Sequence, residues 1–205
     1  MITRRKFVAC VACCAAVAGK LAGQEVVAVN NENLVTSCGT YCGACPIYLD
    51  TRENSVHQRM TGYMIGMGMK PQTKEAPKAK EGPSAKAGPQ VNCDGCLGGG
   101  RVSGHVPKCA IRECAAAKTK TRHCSECAEF PCSRITDFND DGVLHHAIVL
   151  ENLRQLRTMG IKDWAKYEAD RWSCPKCGTP FSWYDPECPK CKAPRPDKLF
   201  PLKKA

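Results

Sequence analysis

The stretch WSCPKCGTPFSWYDPECPKC, residues 172–191, decides how this chain folds. It contains two C-x2-C knuckles separated by ten residues, and each knuckle can bring two sulfur atoms onto one metal ion. Gly178 permits the left-handed turn that closes the first knuckle. Two knuckles supply the four thiolates of a tetrahedral zinc site, so we predict a zinc ribbon, a small β module, over residues 173–193. The four predicted ligands are Cys174, Cys177, Cys188 and Cys191.

The same two knuckles have two alternative interpretations. A rubredoxin-type iron site uses similar knuckles, although its gap between them is much longer than the ten residues found here. Two disulfides are the other alternative, because cysteines pair by default in an oxidising compartment. A metal ion held by all four thiolates has no open coordination position, so its expected role is to stabilise the fold.

The composition indicates a chain that lacks a large apolar core. Aromatic residues make up only 6% of the 205 residues, whereas 17 residues are cysteine. Small domains with weak cores are commonly stabilised by metals or disulfides. We therefore predict a small α+β, cysteine-rich, metal-stabilised domain with helices, followed by the zinc-ribbon β module.

Residues 140–172, upstream of the knuckles, are predicted to be a helical connector. Apolar residues recur at helical spacing along residues 143–159, and the Asp140–Asp141 pair can cap the start of that helix. Gly160 is predicted to end it, and Asp163 to cap a second, short helix. The apolar stripe comprises Val143, Ala147, Leu150, Leu153 and Leu156.

Ten further cysteines form a cysteine-rich body ahead of this connector. Three pairs are C-x2-C knuckles and four cysteines are single. Two sites of four cysteines each would use eight of the ten and leave two over. His105 or His123 is a candidate to complete a third site with the remaining cysteines. We predict that these thiolates hold zinc or an iron–sulfur cluster, since both are bound by cysteine at varied spacings. The ten are Cys38, Cys42, Cys45, Cys93, Cys96, Cys109, Cys114, Cys124, Cys127 and Cys132.

Four cysteine strings, taken in order, resemble those of a known family. They are CGTYCGACPIY at 38–48, CDGC at 93–96, CAIRECA at 109–115 and CSECAEFPC at 124–132. Together they resemble the domain-of-unknown-function family DUF3795 over residues 36–136. The resemblance implies a small cysteine-rich, metal-binding domain found in prokaryotes. It implies no particular reaction, because the family is uncharacterised.

The body is interrupted between its first and second cysteine strings. A helix is predicted to begin at Pro46, since proline suits the first helical position, and apolar residues at Val56, Met60, Met64 and Met67 continue the helical spacing. Residues 70–90 read KPQTKEAPKAKEGPSAKAGPQ and contain almost no large apolar side chain. We predict that this segment is a disordered insertion.

Residues 1–23 are predicted to be an export signal. Basic residues precede an apolar run from Val8 to Gly19, which is too short to span a bilayer, and small residues follow it. The segment TRRKF, residues 3–7, resembles a twin-arginine signal, which directs folded proteins to export. We therefore predict an exported, periplasmic or extracytoplasmic protein with no stable membrane span after cleavage. The alternative is a cytoplasmic protein with an uncleaved N-terminal helix.

The formal net charge of +10 does not by itself indicate a nucleic-acid partner. Four of the positive charges lie in the predicted leader, so its removal lowers the charge to +6. Thiolates bound to metal would lower it further, since zinc with four thiolates carries a net negative charge. Export would also separate the protein from nucleic acid, so the predicted partner is another protein.

These observations predict an exported metal-binding protein with zinc sites and a structural or adaptor role. The first alternative is an iron–sulfur electron-transfer or redox subunit, and the second is a secreted domain stapled by disulfides. The sequence contains no Ser/His/Asp pattern, phosphate loop or dinucleotide fingerprint. We therefore lean against an enzyme and identify no catalytic residue.

Overall fold

The computed structural model describes residues 31–53, 59, 92–104 and 106–202. Within these residues the regular structure is helical, and the two longest α-helices have 11 residues each. Short 3-10 turns and one π-helical turn, Cys114–Thr119, connect the helices. The α-helices of the described residues are α1 (Pro46–Arg52), α2 (Ala110–Glu113), α3 (Ser133–Asn139), α4 (Val149–Met159) and α5 (Ile161–Arg171).

The helical part of the predicted α+β fold is confirmed, but the predicted β module is wrong. Among the described residues, strand pairing is limited to isolated bridges, of which two, Ser173 with Pro180 and Glu187 with Pro194, lie beside the C-terminal knuckles. Each of these two bridges includes a proline, which has no N–H to donate to a ladder. The backbone hydrogen bonds close the knuckles instead, as in the 2.8 Å bond from Gly178 N to Cys174 O.

Helix α4 begins six residues later than the apolar stripe predicts. Residues 144–148 form turns, and the Asp141 carboxylate accepts a hydrogen bond from Val143 N at 3.0 Å ahead of those turns. The predicted end is confirmed, because Gly160 follows α4 with a φ of 79°. The same glycine is also the N-cap of α5, and Asp163 lies in the first turn of α5 rather than at its cap.

The apolar core lies where α4 and α5 pack against the N-terminal part of the cysteine-rich body. Helix α5 contacts the 3-10 turn Asn31–Leu34, and the Trp164 side chain, which is fully buried, meets the Tyr41 ring edge-on at 6.4 Å between centroids. Leu153 and Leu156 of α4 are buried in the same core. Several buried thiols belong to this core, so sulfur and apolar packing are continuous in this protein.

Helix α1 begins at Pro46 as predicted and ends at Arg52. The predicted leader, the predicted insertion, His105 and the apolar residues Val56, Met60, Met64 and Met67 lie outside the described residues. None of the helices that the structure describes is long and apolar enough to cross a bilayer.

Candidate metal centres

The C-terminal knuckles bring four thiols together. The four sulfur atoms all lie within 4.8 Å of one another, and two of the sulfur–sulfur distances, Cys174 to Cys191 and Cys177 to Cys188, are 3.6 Å. Tetrahedral zinc with bonds of about 2.3 Å separates its sulfurs by about 3.8 Å. This group could therefore hold one metal ion, and its members are Cys174, Cys177, Cys188 and Cys191.

The loop between these knuckles is held by a guanidinium group rather than by a strand. Arg195 donates hydrogen bonds to the carbonyl oxygens of Trp183 at 2.9 Å and Asp185 at 3.0 Å. It also donates to Phe200 O at 3.3 Å, and burial lowers the pKa of the guanidinium to about 10. The charge therefore remains at neutral pH, and the guanidinium group holds the loop through its backbone carbonyl groups.

Thr179 prepares one of the four thiols for metal binding. Hydrogen bonds with the Thr179 hydroxyl and backbone lower the pKa of Cys177 to about 6. The thiolate, not the thiol, is the form that binds a metal. The contacts with Thr179 therefore favour the ionised form of Cys177, which is the form that a metal binds.

A second set of thiols surrounds a cavity of about 120 Å³ in the body. Cysteines from three of the four sequence strings reach its wall, together with His145, His146 and Trp183. The other side chains at the wall are largely apolar and include Ile47 and Val106. The six cysteines are Cys38, Cys42, Cys45, Cys93, Cys96 and Cys109.

Helix α1 positions two of the knuckles at this cavity. The first knuckle turns at Cys42–Ala44, and its second cysteine, Cys45, is the N-cap of α1. The last turn of α1 then reaches the other knuckle, since Cys93 N donates to the Thr51 hydroxyl at 2.9 Å. Helix α1 thus carries one knuckle at its start and anchors the other near its end.

Asp94 fixes the second of these knuckles from outside the cavity. Its carboxylate forms ion pairs with Arg52 of α1 and with Arg101, the latter at 3.0 Å. Hydrogen bonds from Arg101 lower the pKa of Asp94, so the carboxylate stays ionised well below neutral pH. Next to it, Gly95 has a φ of 99° and lies over Cys42, whose sulfur would be 3.8 Å from an added Cβ.

The thiols of these two knuckles are close enough to influence one another. The neighbouring Cys96 thiol and burial together raise the pKa of Cys42. Burial raises the pKa of Cys45 to about 12, and Cys93 and Cys96 contribute to that increase. Buried thiols with raised pKa values bind a proton firmly unless a cation replaces it.

A third set of thiols lines a smaller pocket of about 30 Å³. Its knuckle, Cys124 and Cys127, is tied to α4 by Arg157, which donates to Ser125 O at 2.6 Å and to Cys127 O at 2.7 Å. Burial raises the pKa of Cys124 to about 12, with contributions from the other three thiols of the pocket and from Cys38. The four cysteines are Cys114, Cys124, Cys127 and Cys132.

Cys38 lies between the two sets of body thiols. It lines the larger cavity, yet it also influences the thiol of Cys124 in the smaller pocket. The Thr36 and Thr40 hydroxyls lie 3.2 and 3.5 Å from its sulfur. These threonines stand two residues either side of Cys38, and that position is the sequence signal by which they could have been found.

Two histidines of the described residues are buried in different places. His145 stacks on Trp183 with 4.0 Å between ring centroids and lines the larger cavity. His123, a candidate ligand, is buried with Nδ1 2.9 Å from the Glu126 carboxylate, and its Nε2 has no hydrogen-bond partner. His123 lines neither thiol pocket.

All fourteen cysteines in the described residues are free thiols. The structure therefore divides the predicted ligands into a C-terminal group of four, a cavity group of six and a pocket group of four. Only the C-terminal group, among the described residues, has at least three ligand atoms all within 4.8 Å of one another.

The fold and these centres define a class of protein: a small helical, cysteine-rich domain with a thiol group that could bind a metal. The profile of the family described as "Protein of unknown function (DUF3795)" matches residues 34–137, and the chain belongs to that family. The match includes all ten body cysteines and ends before the C-terminal group. No curated protein and no solved structure matches the chain.

Proposed function

We propose that this protein is an exported metal-binding protein with a structural or adaptor role, and that its C-terminal thiols hold zinc. The observation that carries the proposal is the convergence of four cysteine sulfurs within 4.8 Å of one another. Four thiolates at that spacing match the ligand set and size of a structural zinc ion.

A zinc ion bound in this way would contribute folding energy rather than chemistry. All four coordination positions would be filled by protein, so no position is left for a water or a substrate. The expected apparent binding free energy is on the order of 10 kcal/mol, which is comparable to the whole stability of a small domain. The partner that we propose for the adaptor role is another protein.

The proposal is tested by counting zinc in the purified full-length chain and in the Cys177→Ser variant. We expect the variant to bind about one zinc less per chain, because three thiolates do not complete the tetrahedron. Its melting temperature is expected to fall, and a strong chelator should lower the melting temperature of the unsubstituted chain in the same way.

Lys176→Ala is the matched control, because Lys176 is an exposed residue between the two cysteines of the same knuckle. This variant should keep its zinc and its melting temperature. A chain that melts at the same temperature with and without the chelator, and that contains no metal when isolated, would refute the proposal.

A second candidate function is an iron–sulfur electron-transfer or redox subunit. The observation that favours it is the cavity of about 120 Å³ with six cysteines at its wall. Iron–sulfur clusters are held by cysteine thiolates, and burial and nearby charge adjust their potentials. A brown protein with a visible spectrum that bleaches on reduction would support this candidate, whereas a colourless protein with zinc alone would exclude it.

A further inference from the structure

The larger thiol cavity is too large for a single metal ion. Protein interiors contain few voids larger than a water molecule, and holding one water takes about 10–15 Å³ of such volume. The cavity measures about 120 Å³, whereas the pocket at Cys114, Cys124, Cys127 and Cys132 measures about 30 Å³. The larger space therefore suits a group of several atoms.

The separation of the cavity thiols leads to the same conclusion. A single tetrahedral ion requires its four sulfurs to lie about 3.8 Å apart, as the C-terminal thiols nearly do. Among the described residues, no three of the body cysteines have sulfur atoms that all lie within 4.8 Å of one another. The cavity thiols thus face one space but are spread more widely than one ion allows.

Four of the six cavity cysteines share a structural support. Cys42 and Cys45 form one C-x2-C knuckle, Cys93 and Cys96 form another, and all four line the cavity. These four belong to the two knuckles that α1 positions, so their backbone is fixed by the same helix. The sulfur of Cys38, in contrast, lies beside two threonine hydroxyls, and neither Cys38 nor Cys109 belongs to a C-x2-C knuckle.

The wall of the cavity suits a group with net negative charge. Arg112 lines the cavity and donates a hydrogen bond to Cys96 O at 3.2 Å. Four thiolates around an oxidised [4Fe–4S] core carry a net charge of about −2, which a nearby guanidinium partly balances. Ile47, Val106 and Trp183 contribute apolar side chains to the same wall.

We propose that this cavity binds an iron–sulfur cluster of the [4Fe–4S] class through Cys42, Cys45, Cys93 and Cys96, and that Cys38 and Cys109 are not ligands. The inference rests on the proposed function only in that thiols of this chain bind metal. It adds a second kind of centre beside the C-terminal ion and assigns the ligands of that centre.

The test is anaerobic purification of the full-length chain, followed by analysis of iron, acid-labile sulfide and zinc. We expect about four iron and four sulfide per chain, with a broad visible absorption that dithionite bleaches. Cys96→Ser should lose most of the iron and sulfide and keep the C-terminal zinc. Cys177→Ser should show at least one zinc less, which reports on the C-terminal group separately.

Cys109→Ser is the matched control, because Cys109 lines the same cavity but belongs to neither knuckle. It should retain the iron and sulfide content of the unsubstituted chain, and loss of the cluster in this variant would overturn the ligand assignment. An unsubstituted chain that binds zinc but neither iron nor sulfide would overturn the cluster while leaving the proposed function intact. A chain without any metal would overturn both.

Discussion

Gly39, inside the first cysteine string, shows how tightly single residues are fitted in this fold. Its φ is 83°, and an added Cβ would lie 2.6 Å from Cγ of Leu153. Its carbonyl oxygen accepts a hydrogen bond from the buried Asn152 side chain at 2.9 Å. The cysteine string is therefore locked onto α4 at a point where only glycine fits both the backbone conformation and the space.

We expect Gly39→Ala to lower the free energy of unfolding by about 2–4 kcal/mol. Left-handed backbone strain contributes about 1–2 kcal/mol, and overpacking contributes about 1–3 kcal/mol. Gly104→Ala is the control, because the Gly104 Cβ position is open and its φ is not in the left-handed region. Denaturant unfolding of both variants checks the prediction, and equal stability would contradict it.

At the scale of the element, Arg195 supplies the C-terminal loop with the hydrogen-bond donors that a neighbouring strand would supply in a sheet. The guanidinium group bonds carbonyl oxygens of the loop between the knuckles and also Phe200 O, and it lies over the Trp172 ring at 5.5 Å. One side chain thus satisfies several backbone acceptors that have no ladder. This arrangement explains how the knuckles hold their positions without β structure.

Arg195→Ala is expected to lower the free energy of unfolding of the metal-loaded chain by about 2–3 kcal/mol, because buried carbonyl groups lose their donors. The control is Arg154→Ala, since Arg154 is exposed on α4 and its ion pair with Glu151 measures 4.0 Å. Denaturant titration and zinc retention check this prediction. If both arginine variants behaved alike, the loop would have another support.

The C-x2-C spacing made the C-terminal thiol group predictable, because such knuckles dictate the local geometry of their own sulfurs. The same spacing does not decide whether strands form around the knuckles, and the β module predicted there is wrong. Pro180 and Pro194 limit the pairing to isolated bridges. The start of α4 was also misplaced by the sequence pattern. The apolar stripe begins at Val143, but the backbone of residues 144–148 forms turns rather than helix.

At the scale of the whole molecule, the grouping of the ten body cysteines depends on contacts between distant segments. Cys42 and Cys96 line one cavity, and the Cys124 backbone N–H donates to Ser37 O at 2.8 Å. Sequence spacing contains no information on which knuckles meet across such distances. The cysteines themselves were predictable as candidate ligands, whereas their division into separate centres was not.

The proposed export would also concern the whole molecule, because a twin-arginine signal directs folded chains to export. We expect a fusion of this chain to a reporter that requires folded transport to lose export when Arg4 and Arg5 are both replaced by lysine, because the twin-arginine pair addresses that route. A fusion with Lys6→Arg retains the pair and is the control. Transport that survives the double replacement would show that a different signal, or none, is used.

Trp183 belongs to both kinds of centre. It lies in the loop between the C-terminal knuckles, and its side chain lines the larger cavity. Its backbone N–H donates to Ala44 O at 2.9 Å, between Cys42 and Cys45. If both centres are filled as we propose, this one tryptophan adjoins both of them. A Trp183→Ala change would then disturb two neighbouring metal sites through a single missing side chain.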